Sequence, residues 1–290
     1  MKKRLILNIE TSTNVCSVSL SAGEEVLAAR ESRTDRSHAS LLTVFVDEVM
    51  RESATGYCDL AAVAVSRGPG SYTGLRIGVS AAKGICYGAG VPLLAVDTLR
   101  LMAMMVINGR LPAFHGDHGD HGGTGTAGGN NPGGSPGNET GRKAGSEKVA
   151  AGGGNNPGGS PGNDTGNDTG NKTMLLCPMI DARRMEVYTA LYDASGRQVA
   201  PTGAHIIGSE WFDTLPSVSR VLFFGNGADK CRHLVNGENL VYIEGIYPSA
   251  RLMAGLSDEA LREGRVEDTA YFEPYYLKDF IATTPRSRMA

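Results

Sequence analysis

The sequence predicts an α/β protein made of two duplicated domains around a cleft. Two recurrences lead to that class. A strand, an acidic residue, a polar turn and a second strand occur from Leu5 to Leu20 and again from Met174 to Tyr192. A strand that enters a glycine turn and then a helix occurs after Leu60 and again after Val221. Between the two copies, Ala113 to Lys172 hold almost nothing apolar, and such a composition cannot offset the entropy of ordering. The expected organisation is an N-terminal domain over 1–112, a low-complexity insert over 113–172, expected to be disordered, and a C-terminal domain over 173–290.

Composition narrows the function classes. The chain has 290 residues, of which about 230 lie outside the insert, enough for two cores. A formal charge of -3 gives no broad positive field, so contact with nucleic acid is expected only through a partner. The five cysteines are odd in number, widely spaced and free of Cys-x-x-Cys, as expected of reduced thiols in a cytoplasmic protein. The basic start runs into Asn8 and Glu10 too soon for a secretory signal, and no stretch approaches the roughly 20 apolar residues of a membrane span.

Leu5 to Ile9, Val15 to Leu20 and Val26 to Arg30 read as strands, with Glu10-Thr11-Ser12-Thr13-Asn14 a polar turn between the first two. The hydroxyls of Thr11, Ser12 and Thr13 suit a phosphate, with Glu10 beside them. They suit equally a hairpin whose side chains bond their own backbone. Ser37 to Glu52 reads as a helix with Ser37 as N-cap. Its apolar residues Leu41, Leu42, Val44, Phe45, Val46, Val49 and Met50 cover more than the stripe of about 100° that one sheet needs. His38 has no second histidine at helical spacing, so it is expected to cap or to face solvent rather than to bind a metal.

Leu60 to Val65 reads as a buried strand leading into Gly68-Pro69-Gly70-Ser71-Tyr72-Thr73-Gly74-Leu75-Arg76-Ile77-Gly78, with a helix over Val79 to Cys86. Such a junction gathers free N–H groups at a helix start. Neither the phosphate-loop nor the dinucleotide spacing fits, however. Gly74, Gly78 and Ala82 recur every four residues and leave one face nearly without side chains, against which another helix can come close. Two outcomes stay open: a protein interface built from both helices, or two faces that satisfy each other inside one subunit. Val91 to Val96 is a strand, and Thr98 to Ile107 a Met-rich core helix.

In the insert, Gly128 to Gly141 returns almost unchanged at Gly153 to Gly166, a duplicated linker with no face to bury. His115, His118 and His121 are read there as incidental, and four Asn-x-Thr sequences as unused. After it, Met174 to Ile180 and Glu186 to Tyr192 are strands around Asp181-Ala182-Arg183-Arg184. Val221 to Phe224 enters Gly225-Asn226-Gly227-Ala228 and a helix to about Val235. Leu240 to Ile246 is a strand, Ser249 to Glu263 a helix capped by Ser249 and closed by Gly264, and Phe272 to Leu277 an extended tail.

Four stretches together carry a resemblance: Ile6 to Thr13, Gly68 to Gly78, Asp181-Ala182-Arg183-Arg184-Met185-Glu186-Val187-Tyr188, and Pro274-Tyr275-Tyr276-Leu277. The chain resembles the bacterial TsaB (YeaZ) family over nearly all its length outside the insert. The resemblance implies the actin-like, sugar-kinase-like ATPase fold and a part in making threonylcarbamoyladenosine beside the anticodon of tRNA. It implies a non-catalytic subunit that pairs with the catalytic paralogue TsaD, recruits the ATPase TsaE, and meets tRNA only within that complex. A homodimer through the same helices is also open. The implied interface residues are Leu41, Leu42, Phe45 and Val49 on the first helix and Tyr72, Gly74, Gly78 and Ala82 on the second. No catalytic or metal residue and no required cofactor are implied. Thr11, Ser12, Thr13, Gly225 and Gly227 mark a vestigial nucleotide cleft, and ATP or ADP at the interface with TsaD stays open. The chain departs from the paralogue in having no His-x-x-x-His, and from related kinases in carrying Glu10 where aspartate is usual. The competing functions are a nucleotide-binding ATPase or kinase of the same fold and, remotely, a metallopeptidase.

Overall fold

A computed structural model describes residues 4–34, 38–109, 174–216, 220–234 and 237–278. The predicted cap Ser37 and the predicted features of the insert lie outside them.

Strand β1 (Leu5–Glu10) is buried on both faces and occupies the middle of a five-stranded sheet. It pairs antiparallel with β2 (Cys16–Ala22), which pairs with β3 (Glu25–Ser32). On its other side it pairs parallel with β4 (Leu60–Gly68), and β4 with β5 (Leu93–Asp97). Helices α1 (His38–Glu52) and α2 (Tyr72–Ala89) lie on one face, and α3 (Thr98–Ile107) follows β5. The second sheet consists of β6 (Met174–Asp181), β7 (Glu186–Asp193), β8 (Gln198–Ile206), β9 (Arg220–Phe224) and β10 (Leu240–Ile243). Short helices α4 (Ser209–Asp213) and α5 (Asn226–Cys231) accompany it, and α6 (Ala254–Arg262) ends the regular structure.

The two sheets run β3-β2-β1-β4-β5 and β10-β9-β6-β7-β8. Counted within each half, these are the same order with the same antiparallel hairpin and parallel crossover. Gly68 ending β4 and Gly225 following β9 occupy matching places, with φ of 106° and 100°, where a Cβ would be strained. This is the actin-like, sugar-kinase-like fold of two duplicated α/β halves.

Alternation along β1 sorts the core. Leu7 and Ile9 join Val63, Val65 and Leu93 against α1 and α2, while Ile6 joins Ala62, Ala64, Leu94 and Val96 against Ala250, Met253 and Ala260. Helix α6, late in the chain, thus covers the first sheet. Leu99, Met102, Ala103 and Met105 of α3 cover the second sheet at Leu176, Ile180, Tyr188 and Phe224. The helix after each sheet's last strand thus packs on the other half's sheet, although Leu101 of α3 also joins the core of the first sheet. Among the described residues no helix is long and apolar enough to cross a membrane.

Several predicted bounds are corrected. Helix α2 starts at Tyr72, seven residues before the expected Val79, with Ser71 Oγ accepting from Gly74 N at 3.2 Å. The expected helix from Ser249 is a 3-10 turn over Ala250–Leu252 followed by α6, because Ser249 Oγ donates to Glu31 (2.6 Å) instead of capping. Strand β10 stops at Ile243, and α5 ends at Cys231 before a 3-10 turn. Strand β8 was not expected.

Candidate functional site

The turn after β1 closes on itself. Ser12 N–H donates to Glu10 Oε1 at 2.6 Å, Thr11 N–H to Ser66 Oγ at 3.4 Å, and Val15 N–H to Thr13 Oγ1 at 3.3 Å. Ser71 N–H donates to Ser12 O at 2.7 Å, which ties the loop before α2 onto this turn. Glu10, Thr11 and Ser12 are wholly buried. Burial pushes the Glu10 carboxyl up to about 7 against the lowering pull of its hydrogen bonds to Ser12. The turn's own carboxylate therefore occupies the N–H that a phosphate would need. His38 is buried at the start of α1 and not exposed as expected, with Nε2 3.2 Å from Val15 O. Among the described residues no three His, Cys, Asp or Glu side chains are grouped to hold a metal.

The helix faces differ from the expectation. A Cβ on Gly70 or Gly74 would stand within 3.0 Å of the carbonyl oxygen of Ser12 or Thr11, and one on Gly78 within 3.0 Å of Thr11 Oγ1. Gly74, Gly78 and Ala82 are buried against the first sheet and its turn, so this side-chain-poor face seats α2 on its own protomer and is not offered outward. Leu42 and Val49 are likewise core residues, at 1% and 0% exposure. Tyr72 turns into the cleft, its ring 4.9 Å from that of Tyr276. Of the expected interface set on α1, only Leu41 and Phe45 stay half-exposed, Phe45 with part of its ring against the first core, alongside Val44 at 46% exposure. On α2, Gly84 and Gly88 are exposed, and Ile77, Ala81 and Ile85 are half-buried with part of their side chains against the first core. Nothing lies within 4 Å of where Gly84 or Gly88 would carry a Cβ. Sequence reasoning missed these two glycines, which share the helical spacing of the stripe that it chose.

Between the sheets lies a cleft of about 890 Å³, lined by Ser12 and Thr13 on one side and by the β6–β7 turn on the other. Gly225 and Gly227 do not open onto it. A Cβ on Gly225 would meet Met179 O and Met102 Cε, and one on Gly227 the backbone of Met179 and Ile180, so both glycines serve packing against β6. Asn226 between them does line the cleft, and its Oδ1 accepts from Asp181 N–H at 3.0 Å.

In the β6–β7 turn, Arg183 and Arg184 hold φ of 69° and 51°, a conformation that non-glycine residues rarely adopt. Lys230 keeps them there by pairing with the Asp181 carboxylate and donating to the carbonyls of Arg184 (2.8 Å) and Glu186. Lys278 pairs with Glu186. Each carboxylate lining the cleft is thus matched by a lysine, and the guanidinium groups of Arg183 and Arg184 are exposed without a carboxylate among the described residues. The C-terminal tail forms the third wall. Tyr275 N–H donates to Arg67 O at 2.7 Å, and Lys83 Nζ holds the carbonyls of Ala270 and Phe272 at 3.1 and 3.2 Å.

The family model described as "TsaD: tRNA N6-adenosine threonylcarbamoyltransferase" matches residues 27–118. The tRNA threonylcarbamoyladenosine biosynthesis protein TsaB of Escherichia coli is 39% identical over 98 residues, 34% of this chain and 42% of that protein. The chain therefore spans about two fifths of that relative's length. TsaB of Bacillus subtilis is 24% identical over 234 residues, 79% of this chain and 74% of that protein. The structure of YeaZ from Pseudomonas aeruginosa superposes with a TM-score of 0.65 at 18% identity, over 94% of this chain and 100% of that one.

Proposed function

On the premise that this chain belongs to the TsaB (YeaZ) family, we propose that it is a non-catalytic subunit in tRNA threonylcarbamoyladenosine biosynthesis, which binds and activates a TsaD-type threonylcarbamoyltransferase. The observation that carries the reading is the surface of α1 and α2, where Leu41 is half-exposed and Val44 exposed, Phe45, Ile77, Ala81 and Ile85 are only part-covered by the first core, and Gly84 and Gly88 give a partner helix close approach. The TsaD family model matches the stretch containing these helices. A TsaD subunit would then offer a related pair, and like half can meet like half about a pseudo-two-fold axis. The turn at Glu10 speaks against phosphoryl transfer by this chain, since its Ser12 N–H is already engaged.

The test is co-purification of the full chain with TsaD. Gly84→Leu adds a side chain at an exposed position whose Cβ meets nothing within 4 Å, and Val44→Glu places a charge on the neighbouring helix. Both should weaken pairing by about 30-fold or more, as substitutions at the centre of an interface do, and leave the urea midpoint of the isolated chain within about 1 kcal/mol of wild type. Undiminished pairing in both variants refutes this surface as the contact. The same variants should abolish self-association if a second copy takes this surface when TsaD is absent.

A further inference from the structure

We propose that the rim of the cleft binds a single-stranded stretch of RNA directly, with bases against Tyr72, Tyr275 and Tyr276 and phosphates against Arg183 and Arg184. The proposal rests on the reading that the chain works in tRNA modification and adds a contact made by this chain itself. It departs from the expectation that tRNA is met only through the partner. The overall charge of -3 conceals a local surplus. Asp181 and Glu186 are neutralised by Lys230 and Lys278, which leaves two exposed arginines facing the cleft without a carboxylate among the described residues. Their turn is held in an unfavoured backbone conformation by Lys230 rather than relaxed away from the cleft.

The aromatic half of the site is equally built. Tyr276, 36% exposed, lies against Tyr72, and the Arg76 guanidinium stands 5.4 Å from the centroid of the Tyr72 ring. Arg67 lies 5.6 Å from the centroid of Tyr275. The tail carrying Tyr275 and Tyr276 is tied to β4 and α2 by three backbone carbonyls. Tyrosine faces interleaved with guanidinium groups are the chemistry that takes unstacked bases and their phosphates. A free nucleotide is the weaker fit, because its phosphates need backbone N–H groups. Here those of Thr11 and Ser12 are engaged, and Gly225 and Gly227 are packed against β6. A duplex is weaker still, since its bases stay stacked and out of reach of the rings.

The experiment is fluorescence anisotropy of the isolated full chain with a short unstructured oligoribonucleotide, with the same RNA annealed to its complement, and with ATP as competitor. The wild type should bind the single strand about tenfold more tightly than the duplex and should not be displaced by ATP. The double variants R183E/R184E and, as a milder pair, R183Q/R184Q should weaken binding at least tenfold and lower the salt slope by about 0.7 for each phosphate no longer neutralised. Tyr276→Ala should weaken binding about tenfold with the salt slope unchanged. Absence of binding, equal binding by wild type and arginine variants, equal affinity for duplex, or displacement by ATP overturns the proposal. The arginine variants should still pair with TsaD, and Gly84→Leu should still bind RNA. Failure here is therefore distinguishable from failure of the subunit reading.

Discussion

Helix α2 carries glycines at 74, 78, 84 and 88, and one substitution, glycine to alanine, should have opposite signs along it. At Gly84 the added Cβ meets nothing within 4 Å and the site is exposed, so alanine should stabilise by about 0.5–1 kcal/mol through helix propensity alone. At Gly74 the Cβ falls within 3.0 Å of Thr11 O, the backbone of a wholly buried turn that cannot yield. Overpacking of this kind costs about 1–3 kcal/mol or more, which exceeds the propensity gain. Gly78 differs because the obstruction is a side chain. Thr11 Oγ1 is the near atom, with Thr11 Cβ and Cγ2 at 3.3 and 3.4 Å, and that hydroxyl makes no hydrogen bond. Thr11→Ala should therefore rescue Gly78→Ala with a coupling of at least about 1 kcal/mol. Equilibrium urea denaturation of the isolated chain measures the three glycine variants, Thr11→Ala and the Thr11→Ala/Gly78→Ala pair. If Gly74→Ala and Gly84→Ala move the midpoint the same way, or Thr11→Ala leaves Gly78→Ala unrescued, the assignment of the inner face is wrong.

Two further outcomes follow from burial. The raised Glu10 carboxyl keeps its proton in the folded state over a range where the unfolded chain has released it. Its contribution is therefore full below about pH 4.5 and lost as pH rises through about 7, by a few kcal/mol at most. Glu10→Gln should flatten stability against pH in that window, and a slope unchanged by this substitution would count against the assignment. Of the five thiols only Cys58 is exposed, and burial pushes Cys16 and Cys86 up to about 11 and Cys177 up to about 12. A thiol reagent should modify one cysteine quickly in the folded protein, and Cys58→Ser should remove that phase. A second fast thiol would contradict the packing described for β2, α2 and β6.

The strands were legible wherever burial is two-sided, because β1, β4 and β6 are each dominated by a short apolar run, broken in β1 only by Asn8 before the closing Glu10. Strand β8 was not legible. Its sequence holds Pro201 and Gly203, is exposed or half-exposed at every position, and becomes a strand only by pairing along β7 at the sheet edge. The start of α2 was obscured for a different reason. Gly74 and Gly78 read locally as turn residues, yet the helix keeps them because Thr11 leaves no room for anything larger. The exchange of α3 and α6 between the halves was hidden as well, since an apolar helix stripe does not say which sheet it will cover. The same ambiguity misdirected the interface. Stripes 74/78/82 and 77/81/84/88 both satisfy helical spacing, and only the turn after β1 decides which one is fully buried.

The duplication sharpens what the cleft can do. The turn after β1 and the turn after β6 occupy matching places in the two halves, and both begin with an acidic residue. In the first, Glu10 folds back onto Ser12 N–H and the turn is buried as far as Thr13, so it offers Ser12, Thr13 and the exposed Asn14 to the cleft but no spare charge. In the second, Asp181 accepts from Arg183 N–H at 2.8 Å and pairs with Lys230, which leaves the arginines pointed outward and charged. A phosphoryl-transfer site needs stabilising groups converging on one phosphate from both turns. Here one turn is closed by its own carboxylate and the other presents cations at the rim, an arrangement that suits holding a polyanion across the mouth better than cleaving a phosphate at the floor.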